Sequence, residues 1–133
     1  MAHEGAVVID DTRIAGVDLS DSQYCAVRLD ETSGKIKIAN ATSGALAILQ
    51  DKPESGYPAR IIYFGKSKAW VSGTVKIMDH LAPVGDACND SGVLTTTTTD
   101  NDEYVAFALE AHASDTKALR TVLVVAGSHY GHA

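Results

Sequence analysis

The segment from Leu46 to Lys68 constrains the fold more than any other stretch of the chain. An apolar run, Leu46 to Leu49, breaks at Lys52-Pro53-Glu54-Ser55-Gly56-Tyr57-Pro58, and a second run, Ala59 to Phe64, stops at Gly65. Neither run is long enough for an ordinary helix. The two prolines exclude a helix through the turn, because each lacks an N–H and clashes with the preceding turn. Two strands joined by a Pro/Gly connection are what remains.

The rest of the chain is written the same way. Tyr24–Leu29 reads as a strand, Asp30-Glu31-Thr32-Ser33-Gly34 as a turn, and Lys35-Ile36-Lys37-Ile38 alternates as a half-buried strand does, so the three make a hairpin. Short strands are expected at Trp70-Val71, Thr74–Met78, Leu81–Val84, Val93–Thr99, Tyr104–Ala111 and Leu119–Ala126. The threonine run Thr95 to Thr99 favours extended backbone, because each residue is β-branched. Roughly ten short strands with regular turn signals and little helix predict an all-β, single compact β-barrel or β-sandwich-like domain. Residues 1–14 read as an extended N-terminal arm carrying the patch Ala6-Val7-Val8-Ile9, 15–126 as the β-rich domain, and 127–133 as a flexible C-terminal tail.

The domain carries a candidate internal two-fold repeat. A shift of 60 residues places Leu49-Gln50 on Leu109-Glu110 and Arg60 on Arg120, and the apolar run after Arg60 on Thr121 to Val124. Slightly upstream, Ser33-Gly34 matches Ser91-Gly92. Two similar β units closing one core are expected, not a solenoid.

Composition limits the function classes. With 133 residues, 45% of them hydrophobic, the chain makes one globular domain. A net charge of −6 without a basic stripe argues against nucleic acid, since phosphate contacts need clustered Lys and Arg. No apolar run approaches a membrane span, and Met-Ala-His-Glu-Gly lacks the head and apolar segment of a secretory signal. Cys25 and Cys88 both sit in strand-like surroundings and read as buried reduced thiols; their spacing leaves a disulfide open.

No motif for chemistry survives inspection. Gly65-Lys66-Ser67 resembles the end of a phosphate loop, but Arg60 stands where that loop needs glycine, and a strand follows where it needs a helix. His129 and His132 are three apart, a spacing that suits neither a helical nor a strand metal pair. His3, His80 and His112 are isolated, and the acidic clusters Asp86–Gly92 and Asp100–Glu103 lack the ligand alternation of a calcium loop. No nucleophile elbow is present and neither cysteine neighbours a histidine, so no catalytic residue, metal or cofactor is assigned. Trp70 and Tyr57 are the large aromatics near the central turn, and such residues anchor interfaces.

Several strings together resemble a known family. They are Ala15-Gly16-x-Asp18-Leu19-Ser20, Gln23-Tyr24-x-Ala26-Val27-x-Leu29-Asp30, Gly34-Lys35, Ile48-Leu49-Gln50-Asp51-Lys52-Pro53-x-x-Gly56, Gly65-x-Ser67-Lys68 and Ala108-Leu109-Glu110-Ala111. In this respect the chain is similar to the head decoration, or capsid cement, proteins of tailed bacteriophages, from about residue 15 to residue 125. It departs at Ala47 and Ala106, where the family often has glycine, and at Met78-Asp79-His80, where it often has Ala-Gly-Asp. The resemblance implies a non-enzymatic, homotrimeric virion protein. It is made in the host cytoplasm, binds the major capsid protein on the outside of an expanded head, and resists internal DNA pressure. Candidate contact residues are Val7, Val8 and Ile9 of the arm, expected to order by adding to a sheet edge, with Tyr57 and Trp70. The alternatives are a small β-barrel ligand- or glycan-binding module, which would need a pocket or aromatic platform, and a small enzyme.

Overall fold

The structure, a computed structural model, describes residues 8–39, 45–83, 92–97 and 103–129, with only the backbone of Glu103 and of 126–129. The described residues form nine strands: β1 (Ile9–Ile14), β2 (Ala26–Leu29), β3 (Ile36–Ile38), β4 (Ala47–Leu49), β5 (Pro58–Val75), β6 (His80–Pro83), β7 (Leu94–Thr96), β8 (Glu103–Ala108) and β9 (His112–His129). The described residues contain no helix.

β5 organises the fold because it belongs to two closed rings. Its first part pairs antiparallel with β1 and with β4; β4 pairs with β2, and β2 with β3. A parallel bridge between Ala15 and Ile36 closes this first ring. The later part of β5 pairs antiparallel with β9, which continues through β8 and β6 to β7. A parallel pairing of Val71 with Leu94 closes the second ring, a five-stranded barrel.

The apolar runs now have a cause. Ala15, Val27, Ile36, Ala47, Leu49, Ala59 and Ile61 fill the first barrel. Their strand neighbours Ala26, Ile48 and Ile62 point the other way and join Val71, Leu81, Leu94, Ala106, Val122 and Val124 in the larger core. A sheet buried on both faces shows continuous rather than alternating apolar sequence. That is why Ala47-Ile48-Leu49 and Ile61-Ile62 are buried throughout.

The internal repeat is present strand for strand. β1, β2, β3, β4 and the first part of β5 correspond to the later part of β5, β6, β7, β8 and β9. Ala26 faces Ile48 as His80 faces Phe107. Val27 faces Ile38 as Leu81 faces Thr96. Leu49 faces Ile61 as Ala108 faces Val122, and Ile14 faces Pro58 as Trp70 faces Leu119. Bonds outside the strands repeat too. Tyr24 N–H donates to Leu49 O at 2.8 Å as Met78 N–H donates to Ala108 O at 2.7 Å. Leu49 N–H donates to Cys25 O at 3.0 Å as Ala108 N–H donates to Asp79 O at 2.9 Å. Among the described residues, Tyr24 (φ 67°) and Met78 (φ 75°) are the two non-glycine residues at positive φ, so even the backbone strain is duplicated.

Four sequence expectations are corrected. The offset is 59 between β4 and β8 and 61 between β5 and β9, not a uniform 60, because the second β4–β5-type connection is two residues longer. The short strands expected at 59–64, 70–71 and 74–78 merge into one strand that ends at Val75, with Gly65 and Gly73 inside it at φ 134° and 78° and residues 76–78 in the turn beyond it. Residues 9–14, read as the base of the arm, form β1 of the first barrel, and the backbone of 127–129, read as tail, continues β9. The rest of the arm, residues 1–7, lies outside the described residues, as do Cys88, the acidic cluster 86–91 and residues 130–133.

Gly34 and Gly92 are counterparts before β3 and β7, at φ 69° and 81°. A Cβ on Gly34 would meet nothing within 4 Å, whereas one on Gly92 would lie 2.7 Å from Cys25 Cβ and 3.0 Å from Ala26 O. Gly34→Ala should therefore lower stability by about 1–2 kcal/mol, the left-handed backbone cost alone. Gly92→Ala adds overpacking and should cost roughly 2–5 kcal/mol. Denaturant melts of the two variants check the contrast.

Candidate interaction surface

The seam between the barrels is polar as well as apolar. Trp70, on β5, lies against the loop that leads into β2: its Nε1–H donates to Gln23 O at 3.0 Å and its backbone N–H to Tyr24 O at 3.2 Å. Gln23 Nε2 donates to Gln50 O at 3.0 Å, and Gln50 Nε2 donates to Ser67 Oγ at 2.9 Å. The Gln50 amide thereby ties the first barrel to the later part of β5, and the Gln23 amide ties the loop before β2 to the end of β4. The Lys117 ammonium stands 5.1 Å from the Trp70 ring centre, within cation–π range. An open cavity of about 270 Å³, lined by Asp21, Gln23, Tyr24, Lys52, Trp70 and Leu119, lies at this seam.

The outer face of the first barrel is covered by the second, so Ala26 and Ile48 are buried. Their counterparts on the second barrel, His80 and Phe107, are only half-buried. They cluster with Tyr104 instead, at ring separations of 4.8 Å for His80–Phe107, 4.5 Å for His80–Tyr104 and 5.3 Å for Tyr104–Phe107. The aromatic contacts bury apolar area that a further barrel would otherwise cover.

Among the described residues, the large apolar side chains left in solvent fall in three places. Ile9 and Phe64 are paired across β1 and β5. Ile14, Val17 and Tyr57 lie together at the mouth of the first barrel, where Ala15 N–H donates to Tyr57 O at 2.9 Å. Ile77 and Met78 form the corner before β6. Of the residues picked out from sequence, Val7 lies outside the described residues, Val8 is half-buried against the larger core, and Ile9 and Tyr57 are exposed. Trp70 sits in the seam, away from Tyr57 at the barrel mouth. Sequence reasoning did not find Ile14, Val17, Phe64, Ile77 and Met78. Met78 reads as the end of a strand, and nothing in its side chain announces a positive φ.

Beside these patches the surface is charged. Arg60 and Asp10 pair at 2.9 Å across β1 and β5, both exposed, an arrangement worth about 0–1 kcal/mol. Asp11 accepts hydrogen bonds from Tyr63 Oη at 3.0 Å, from Thr12 N–H at 2.8 Å and from Arg13 Nε at 3.0 Å. The Tyr63 hydroxyl, with the other two donors, holds its carboxyl below the usual range. Burial pushes the Cys25 thiol up to about 11, which leaves little nucleophilic thiolate at neutral pH. Among the described residues no three His, Cys, Asp or Glu side chains stand together as a metal site.

No protein-family model and no curated protein sequence matches the chain. Among solved structures it is similar to the head fiber gp8.5 N base of bacteriophage phi29, at 15% identity and a TM-score of 0.58. The match covers 89% of this chain and 94% of that one. At this identity the likeness is one of fold.

Asp11 supplies a test of the β1–β5 contact. Its lowered folded value means that the carboxylate stabilises the fold above the ordinary Asp range, and that this contribution is lost as pH falls through the folded value. Tyr63→Phe should return Asp11 toward its ordinary value and flatten the acid side of the stability curve. Carboxyl NMR titration of both proteins measures the shift.

Proposed function

We propose that this chain is a structural protein of a tailed-phage head that docks on the outer surface of the capsid as a decoration, or cement, protein. The fold likeness to the head fiber base of phi29 over nearly the whole of both chains is the observation that carries the reading. The strings between residues 15 and 125 that resemble capsid decoration proteins point the same way. The physics agrees. The described surface offers apolar patches and fixed strands, and its polar groups at the seam are committed to internal bonds. Such a surface suits recognition by complementarity with the major capsid protein, repeated over a shell. Binding to the expanded head, resistance to DNA pressure, a non-enzymatic role and a homotrimeric state belong to the same proposal.

A second reading, a glycan-binding module, has one observation in its favour, the cavity beside Trp70. Against it, the indole N–H is already bonded to Gln23 O and a lysine ammonium stands near the ring, so little of Trp70 is left to receive a sugar.

Cryo-electron microscopy of purified expanded heads mixed with the protein tests the first reading. Density on the outer surface is expected, and bare heads at saturating protein would refute it. Because β1 begins at Ile9, deletion of residues 2–7 should leave the melting curve unchanged. If the arm adds to a capsid edge, the same deletion should weaken decoration by about tenfold, since a few strand hydrogen bonds at about 1 kcal/mol each and one or two buried side chains are lost. Co-sedimentation with heads measures that change.

A further inference from the structure

We propose that the Ile77–Met78 corner of one copy docks on the Ile14–Pro58 face of a second copy, repeating between chains the contact that joins the two barrels within one. The argument rests on the register of the duplication. Within the chain, the Gln23–Tyr24 corner of the first barrel lies on the Trp70–Leu119 strand pair of the second. The counterpart of that corner in the second barrel is Ile77–Met78. The counterpart of the strand pair in the first barrel is Ile14–Pro58. Among the described residues this leaves one exposed corner, Ile77–Met78, and one exposed strand pair, Ile14–Pro58.

The burial pattern fits that register. Gln23, Tyr24, Trp70 and Leu119, which use each other, are all half-buried. Ile77 and Met78 are 62% and 61% exposed, and Ile14, Val17 and Tyr57 are 41%, 38% and 60% exposed. These five are most of the large hydrophobic side chains exposed among the described residues; Ile9 and Phe64 are the others.

Backbone groups are set for the same bond. Trp70 N–H reaches Tyr24 O across the seam at 3.2 Å. Ala15 N–H points to Tyr57 O, just before β5, so the N–H of Ile14, one residue back along β1, points to the opposite side, as that of Trp70 does. Met78 shares the positive φ of Tyr24 and the same bond from its N–H to the end of the neighbouring strand, so its carbonyl is aimed as that of Tyr24 is. The partner is a second copy of this chain, since the complement of each patch is at the other end of the same molecule. The contact is heterologous, and a head-to-tail contact of this kind closes into a ring or extends, depending on the rotation at each step.

Sedimentation velocity of the full chain across the micromolar range tests this, without any capsid, so its failure leaves the phage-head reading standing. The wild-type chain should self-associate. Met78→Asp and Ile14→Asp should each weaken association at least tenfold while keeping the wild-type circular dichroism spectrum. The decisive step is to mix them. One variant retains only the face and the other only the corner, so the mixture should form a pair and nothing larger. A monomeric wild type, association persisting in both single variants, or a mixture that stays monomeric would each overturn the proposal. Ile77→Asp and Tyr57→Asp, at more exposed positions, replace either variant that fails to fold.

Discussion

The whole structure depends on β5 being shared. A strand of eighteen residues, Pro58–Val75, closes one barrel with its first part and opens the next with its later part. Its register with β1 on one side and with β9 farther along fixes how the barrels lie on each other, since both ladders are made by one backbone. The change of partners falls at Phe64, which pairs with both Ile9 and Val125, and Gly65 follows at φ 134°. A glycine at such a point lets one strand bend from one sheet into another without a side chain in the way.

Sharing a strand also sets the composition of the core. The outer face of the first barrel becomes part of the inner packing of the second, so small residues stand where the layers meet. Ala26, Ala39, Ala45, Ala69, Ala106 and Ala108 all belong to the larger core. Replacing one of them by a larger side chain would push the barrels apart, an overpacking that costs about 1–3 kcal/mol. Gly92 belongs to the same layer, where its turn passes under Cys25 and Ile38 and its carbonyl accepts from Ala26 N–H at 2.8 Å.

Much of this was legible in the residues. Strand existence followed from short apolar runs and turn chemistry, and the hairpin of Val27, Arg28 and Leu29 with Ile38, Lys37 and Ile36 came out as read. The repeat was visible because paired positions keep their character: Leu49 and Ala108 point into their barrels, and Asp51 and Glu110 both accept from a backbone N–H at the start of the returning strand. Strand length was not legible. Gly65 and Gly73 read as stops, since a sequence does not distinguish a glycine that ends a strand from one that bends it. At Gly73 the register with β9 shifts, and a Cβ there would meet Thr95 Oγ1 at 3.1 Å. The interaction surface was the least legible part. Met78 is exposed where its counterpart Tyr24 is half-buried, a difference set by what packs on each corner and not by any local sequence pattern.

The charges on β1 have a reason in its pairing. Along Ile9–Ile14 its only described strand partner is β5, and a strand edge left unpaired invites indiscriminate pairing. Along β1 the chain places Asp10, Asp11 and Arg13, and Asp10 and Asp11 are tied down by Arg60 and Tyr63. Charged side chains held on the strand oppose the close approach of a second β-edge, because their desolvation has no new partner to offset it. The apolar positions Ile14 and Pro58 lie beyond this charged stretch, at the barrel mouth. Association is thereby steered away from the length of the strand and toward its end. A corner of two side chains can reach there, whereas an extended foreign strand would have to bury Asp10 and Arg13 on the way. The outer faces of the two barrels thus differ from the seam between them by what they must prevent as much as by what they bind.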